Sequence, residues 1–128
     1  MSASSTTLTR SFEAGKLDPA AFKHTDHVAV AYEMLGAYDF LEACSRYASS
    51  IRALARKAGA PDKFNATITL AFMSLIAERK ASGDFTTYEE FISENEDLLS
   101  KTVLESWYSP ERLNCDTARA VFLMPDLR

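Results

Sequence analysis

Apolar residues recur along much of the chain at the three-to-four residue spacing of amphipathic helices. The clearest segment opens at Asp39, where Asp39 and Glu42 form a capping-box pattern, and is stopped by Gly59-Ala60-Pro61. Its predicted buried stripe consists of Leu41, Cys44, Ala48, Ile51, Ala55 and Ala58. We therefore expect one helix of about twenty residues here.

The next segment, residues 65–81, begins with an Asn cap and ends before Ser82-Gly83. Residues 68–77 are apolar on nearly every side, which is typical of a central helix covered by neighbours. Sustained period-two alternation and hairpin turns are both missing from the sequence. The pattern predicts an all-α bundle of about five to seven helices around residues 65–81.

The domain organisation predicted from the sequence is simple. Residues 1–10 are mostly small and polar, and we expect a disordered N-terminal tail there. Residues 11–128 are expected to form a single helical domain, because 128 residues with 47% apolar content suffice for one core.

Composition narrows the classes of partner and the compartment. A formal net charge of -4 offers no basic surface for nucleic acid or an anionic membrane. Two cysteines do not form a disulfide framework, and neither a secretory signal nor a membrane span is visible. We expect a cytoplasmic, bacterial type of protein with reduced thiols.

The candidate chemistry begins with the only two histidines, His24 and His27, in Phe22-Lys23-His24-Thr25-Asp26-His27-Val28. At a spacing of three, both rings lie on one helical face, with their Cβ atoms roughly 5–6 Å apart. That face continues through Val28, so both rings are predicted to point inward. They are the candidate catalytic residues, one of them as a general acid or base.

A metal site is the weaker interpretation of the same pair. Stable sites take three or four ligands, and the chain has no third histidine and no CxxC motif. Asp26 lies about 100° around the helix from His27, so it is no obvious third ligand. We therefore assign no metal ligand, and no cofactor can be named from these residues.

Two further groups of polar residues are candidates for binding a ligand. Asn65 and Thr69 share a face at the start of the most apolar helix, where capping and back-bonding to the helix also explain them. Tyr108 and Arg112 stand beside a capped turn and can supply an aromatic wall and a cationic donor. A surface ion pair is the alternative for Arg112.

Four segments, residues 22–28, 64–69, 108–113 and 125–127, together resemble a family of short uncharacterised bacterial proteins. The resemblance extends over residues 12–127. The family pattern is F-x-H-x-x-H, Y-H-x-T-I-T, Y-S-x-x-x-L and P-D-L. Here Phe64 replaces its Tyr and Asn65 replaces its third His. The resemblance implies that His24, His27 and position 65 converge in space, but it implies no activity.

The sequence thus leaves three functions open. The first is a small-molecule-binding or catalytic pocket around the His pair. The second is a structural or interaction domain, as a homodimer, in which both histidines only complete the core. The third is metal binding. Cavity geometry around His24 and His27 discriminates the first from the second.

Overall fold

Seven helices and four short 3₁₀ turns account for most of the chain that the structure describes. The computed structural model describes residues 3–127, with side chains from residue 7 onward. No strand forms within this range, which confirms the all-α prediction. The helices are α1 (Ala3–Glu13), α2 (His24–Ala37), α3 (Phe40–Lys57), α4 (Ala66–Ala81), α5 (Tyr88–Ser93), α6 (Pro110–Leu113) and α7 (Asp116–Ala120). The 3₁₀ turns are Pro19–Ala21, Pro61–Lys63, Glu96–Leu99 and Val103–Ser106.

Side-chain caps set the starts of α3, α4, α5 and α6, and those of α3 and α4 are the caps that the sequence predicts. Asp39 accepts a hydrogen bond from the Glu42 N–H at the start of α3. Thr87 and Ser109 do the same for α5 and α6. Each cap satisfies one backbone donor that has no partner inside the helix.

Helix α4 is the central element, as its apolar sequence predicts. It contacts α2, α3 and α7, and the side chains of Met73 and Ile76 are completely buried. The helix is not covered on every side, however, since Ile68 in its first turn is 37% exposed. This uncovered turn borders the cavity described below.

The N-terminal region differs from the predicted disordered tail. Residues 3–13 form α1, while residues 1 and 2 lie outside the described residues. Phe12 is only 2% exposed, and Leu8 packs against the same core. Packing of this apolar face overrides the weak helix preference of the Ser and Thr residues, so the domain begins before residue 11.

The buried face of α3 also differs from the predicted stripe. Leu41 is 78% exposed, whereas Cys44 is buried as predicted; the other buried residues of α3, Ala43 and Tyr47, lie outside the predicted stripe. Ala43 and Tyr47 are four apart, so they share a face, and the Tyr47 ring lies 5.4 Å from that of Phe12. The large aromatic side chain decides which face of α3 turns inward.

The C-terminal segment, residues 121–127, is held through its backbone. The Thr67 hydroxyl donates to the Val121 carbonyl at 2.6 Å and accepts from the Leu123 N–H at 3.0 Å. Thr67 is completely buried on α4. The C-terminal segment is therefore fastened directly to the central helix.

No helix among residues 3–127 is both long enough and apolar enough to cross a bilayer.

Candidate functional site

A cavity of about 590 Å³ lies where the starts of α2 and α4 meet α3 and the segment around Val103. Four of the six predicted site residues line it: His24, His27, Asn65 and Thr69. Position 65 therefore does lie near both histidines. This is the geometry that we expected of a pocket and not of a closed core.

The pair points inward because α2 continues the same face into the core. Val28, Ala31 and Met34 are all completely buried. At the start of the helix the Lys23 N–H donates to the Asp26 carboxylate at 2.9 Å. Asp26 thus closes the first turn of α2 and does not face the cavity.

His24, the first residue of α2, donates from Nε2–H to the Leu98 carbonyl at 2.9 Å. A carbonyl can only accept, so the proton of the neutral ring belongs on Nε2. Its ring also lies 5.5 Å from that of Phe72. In the neutral ring, Nδ1 of His24 is therefore left as the basic nitrogen.

His27 is bonded differently, through Nδ1, which lies 3.1 Å from the Tyr47 hydroxyl. That hydroxyl is buried and has no other hydrogen-bond partner among the described residues, so we assign the proton to the oxygen, with Nδ1 as acceptor. The neutral His27 ring then carries its proton on Nε2. The two histidines therefore offer opposite functions, a basic nitrogen on His24 and an N–H donor on His27.

The protonation of His27 supports this assignment. Its pKa is lowered from 6.5 to about 4, chiefly by burial and also by the nearby His24, while Asp26 opposes the shift. Burial also raises the pKa of the Tyr47 hydroxyl. Both groups are therefore neutral at pH 7, and the hydrogen bond between them joins a neutral phenol to a neutral imidazole.

Asn65 has a structural role that its place in the cavity does not reveal. Its Oδ1 accepts from the Ile68 N–H at 2.9 Å, and its Nδ2 donates to the Leu113 carbonyl at 2.7 Å. The amide thus caps α4 and ties it to α6. The predicted role in orienting a ligand is not favoured, because both polar groups are already bonded.

Thr69 is the better candidate for orienting a ligand. It is 7% exposed, lines the cavity, and its hydroxyl forms no hydrogen bond within the described chain. The predicted back-bond from this hydroxyl to the helix is therefore missing there. An unbonded hydroxyl on the wall of a pocket is free to serve a bound molecule.

Tyr108 and Arg112 lie apart from the histidines, and the structure does not place them in the cavity. The Tyr108 hydroxyl donates to the Leu123 carbonyl at 2.8 Å, and Arg112 Nε donates to the Met124 carbonyl at 2.6 Å. Both therefore hold the C-terminal segment. Their assignment to ligand binding is corrected to this structural role.

No family model, curated protein or solved structure matches this chain.

Several lining residues were not predicted from the sequence. Lys63 and Lys101 come from different segments, and the side chain of neither forms an ion pair or hydrogen bond among residues 7–127. Tyr47 reaches His27 from twenty positions away, a contact that no local pattern indicates. Of these three residues, only Lys63 could have been suspected from the sequence, because it lies two residues before Asn65 in a predicted motif.

Across the side chains that the structure describes, no group of three or more His, Cys, Asp or Glu residues lies close enough to hold an ion. Of the two cysteines, Cys44 is buried, and burial raises the pKa of its thiol. Buried apolar surroundings of this kind make a thiol unreactive.

Proposed function

We propose that this protein binds a small molecule in the cavity of His24, His27 and Thr69. The observation that carries the proposal is the cavity itself, which has about 590 Å³ beside two imidazoles. Small-molecule sites commonly have volumes of roughly 300–1,000 Å³, apolar walls and a few convergent polar groups. A His pair that only completes a core has no need of such a space.

Within this proposal the two rings have different tasks. Nδ1 of His24 is the proton acceptor, because its Nε2 is engaged with the Leu98 carbonyl. His27 donates through Nε2–H, since Tyr47 engages its Nδ1. If the bound molecule reacts, His24 is the general base; the reaction class is not assigned.

The test is to fill the cavity at its exposed edge. Ile68→Trp places a large ring at the partly exposed lining residue, and Ser74→Trp is the matched control on the same helix, beside a separate cavity of about 320 Å³. A small-molecule library is screened by NMR for shifts of the His24 and His27 ring signals. We expect hits whose affinity falls at least about tenfold in Ile68→Trp and is unchanged in Ser74→Trp. A library that never shifts these ring signals contradicts the proposal.

A homodimer is the second candidate. It is supported by exposed apolar side chains in the C-terminal segment, where Val121, Phe122 and Met124 are 50%, 44% and 68% exposed. Exposed apolar clusters of this kind often mark subunit interfaces. Light scattering of the purified protein at micromolar concentration distinguishes a monomer from a dimer, and Met124→Asp should dissociate a dimer formed there.

Metal binding through the His pair has less support. Asp26 closes a helix turn and the Asn65 amide is bonded, so neither is free to complete a coordination shell. Elemental analysis after purification without chelator decides the matter. Less than about a tenth of an equivalent of transition metal rules out a tightly held ion. Membership of the resembled bacterial family and a cytoplasmic location stay predictions from the sequence.

A further inference from the structure

The charged side chains that line the cavity, Lys63 and Lys101, have the same sign. Lys63 ends the 3₁₀ turn Pro61–Lys63, and Lys101 precedes the turn Val103–Ser106, so two separate segments bring an ammonium group to the same opening. Among the described residues that line the cavity there is no carboxylate. This differs from the chain as a whole, in which 18 acidic residues outnumber 14 basic ones.

Neither lysine has a partner that explains its place. The ion pairs between described residues use Arg46, Arg79 and Arg119, and they include neither Lys63 nor Lys101. The ammonium groups of both lysines also form no hydrogen bond to the described residues. Two unpaired cations at one opening form an attractive site for an anionic group.

The backbone adds to this positive potential. Helix α2 begins at His24 and helix α4 is capped by Asn65, and both residues line the cavity. The N-terminus of a helix carries a partial positive charge; at α2 the Asp26 carboxylate offsets it, so the start of α4 is the end that adds to the potential. The Nε2–H of His27 is a further donor, so the polar part of the wall is dominated by groups that favour an anion.

The rest of the cavity wall is apolar and favours a ligand that also has an apolar body. It consists of Phe22, Ile51, Ile68, Phe72, Val103 and Leu104. An inorganic anion leaves these side chains in contact with water, whereas an aromatic or aliphatic body covers them and gains the free energy of apolar burial. The occupant therefore needs both an anionic group and an apolar body.

The geometry points to a small organic anion as the ligand: a carboxylate, sulfonate or phosphate ester whose charged group meets Lys63 and Lys101 while its apolar body lies against Phe22 and Phe72. This inference rests on the proposed function of the cavity and names its class of ligand. It also explains why a chain of net negative charge keeps two lysines unpaired at one opening.

The experiment uses two fluorescent probes that share one skeleton and differ by one charged group. They are 8-anilinonaphthalene-1-sulfonate and N-phenyl-1-naphthylamine, which lacks the sulfonate. Their dissociation constants are measured for the wild-type chain, for Lys63→Met with Lys101→Met, and for the control Lys16→Met, an exposed lysine outside the cavity. Ile68→Trp reports whether each probe occupies this cavity rather than another apolar surface.

We expect the wild-type chain to bind the sulfonate at least about tenfold more tightly than the neutral probe. The double methionine variant should lose that preference while keeping its affinity for the neutral probe, and Lys16→Met should retain the preference. Ile68→Trp should weaken both probes. Circular dichroism melting of each variant confirms folding, and Lys63→Gln with Lys101→Gln replaces the methionine pair if that pair melts early.

Equal affinity for the two probes, both sensitive to Ile68→Trp, overturns the anion inference and leaves the pocket standing. A preference for the sulfonate that survives removal of both lysines also overturns it. Binding of neither probe, or binding of both that is insensitive to Ile68→Trp, overturns the inference together with the proposed function.

Discussion

Acidification should destabilise the folded chain through His27. Well above pH 6.5 the ring is neutral in both the folded and the unfolded chain, so pH has no effect on stability through it. As the pH falls below 6.5, the unfolded chain takes up a proton that the folded chain accepts only near its lowered pKa of about 4. The folded state therefore loses stability across the window from pH 6.5 to about pH 4.

The size of this loss follows from the change in pKa. Each unit of difference between the folded and unfolded pKa corresponds to about 1.4 kcal/mol. For a fall from 6.5 to about 4, the linkage relation gives a loss of about 2.5 kcal/mol on going from pH 7 to about pH 4.5. That is a large fraction of the roughly 5–15 kcal/mol by which a small domain is stable.

The assay is urea unfolding followed by circular dichroism at the two pH values, for the wild-type chain and for His27→Gln. Gln cannot titrate, but its amide oxygen can still accept a hydrogen bond from Tyr47. Carboxylates titrate alike in both chains, so the difference between their losses isolates His27. We expect the wild-type chain to lose about 2.5 kcal/mol more than the variant.

An equal loss in the two chains, to within about 0.5 kcal/mol, refutes the reasoning because it shows that folding does not change the affinity of His27 for protons. An independent check is the NMR titration of the His27 ring. A titration midpoint of His27 near pH 6.5 instead of pH 4 contradicts the lowering of its pKa by burial.

Three substitutions test hydrogen bonds of the cavity wall and of the C-terminal segment. Tyr47→Phe should lower the free energy of unfolding by about 1–2 kcal/mol and shift the ring ¹⁵N signals of His27, because Nδ1 of His27 loses its hydrogen-bond donor. Tyr88→Phe is the control, since the Tyr88 hydroxyl has no hydrogen bond in the described chain, and it should have neither effect. Thr67→Val keeps the side-chain shape but loses two hydrogen bonds, so we expect a loss of about 2 kcal/mol and faster amide exchange in residues 121–127. Asn65→Ala removes a cap and a tie to α6, and should lower stability by about 2–3 kcal/mol in urea unfolding.

Local patterns predicted the helices that have their own start signals. Asp39 and Asn65 each cap the helix that they were predicted to open. The inward direction of the His pair was also predictable, because Val28 and Met34 continue its face. Such signals act over a few neighbouring residues, so they are visible in the sequence.

Contacts between distant segments were not predictable in the same way. The Tyr47 hydroxyl bonds His27 twenty residues away, and the direction of that bond decides which nitrogen His27 offers. Nothing in the spacing of either residue specifies the partner. The same holds for Leu98, whose carbonyl fixes the tautomer of His24 from 74 positions away.

The errors had a common physical origin in tertiary packing. Residues 3–13 have weak helix formers, yet Phe12 gives their helix a place in the core. Arg112 was predicted to meet a ligand, but its Nε–H donates to a backbone carbonyl twelve residues on, away from the cavity. Residue type indicated what each side chain can do, while the neighbours brought by folding determined what it does.

The fastening of residues 121–124 has a consequence for sequence variation. Thr67, Tyr108 and Arg112 bond main-chain atoms of this stretch, so the bonds they form do not depend on the side chains at positions 121–124. Substitutions that change the side chains at positions 121, 122 and 124 leave those bonds intact. Proline at position 123 is the exception, since it deletes the N–H that Thr67 accepts. The side chains of this stretch are therefore free to evolve under the demands of whatever they meet outside the domain.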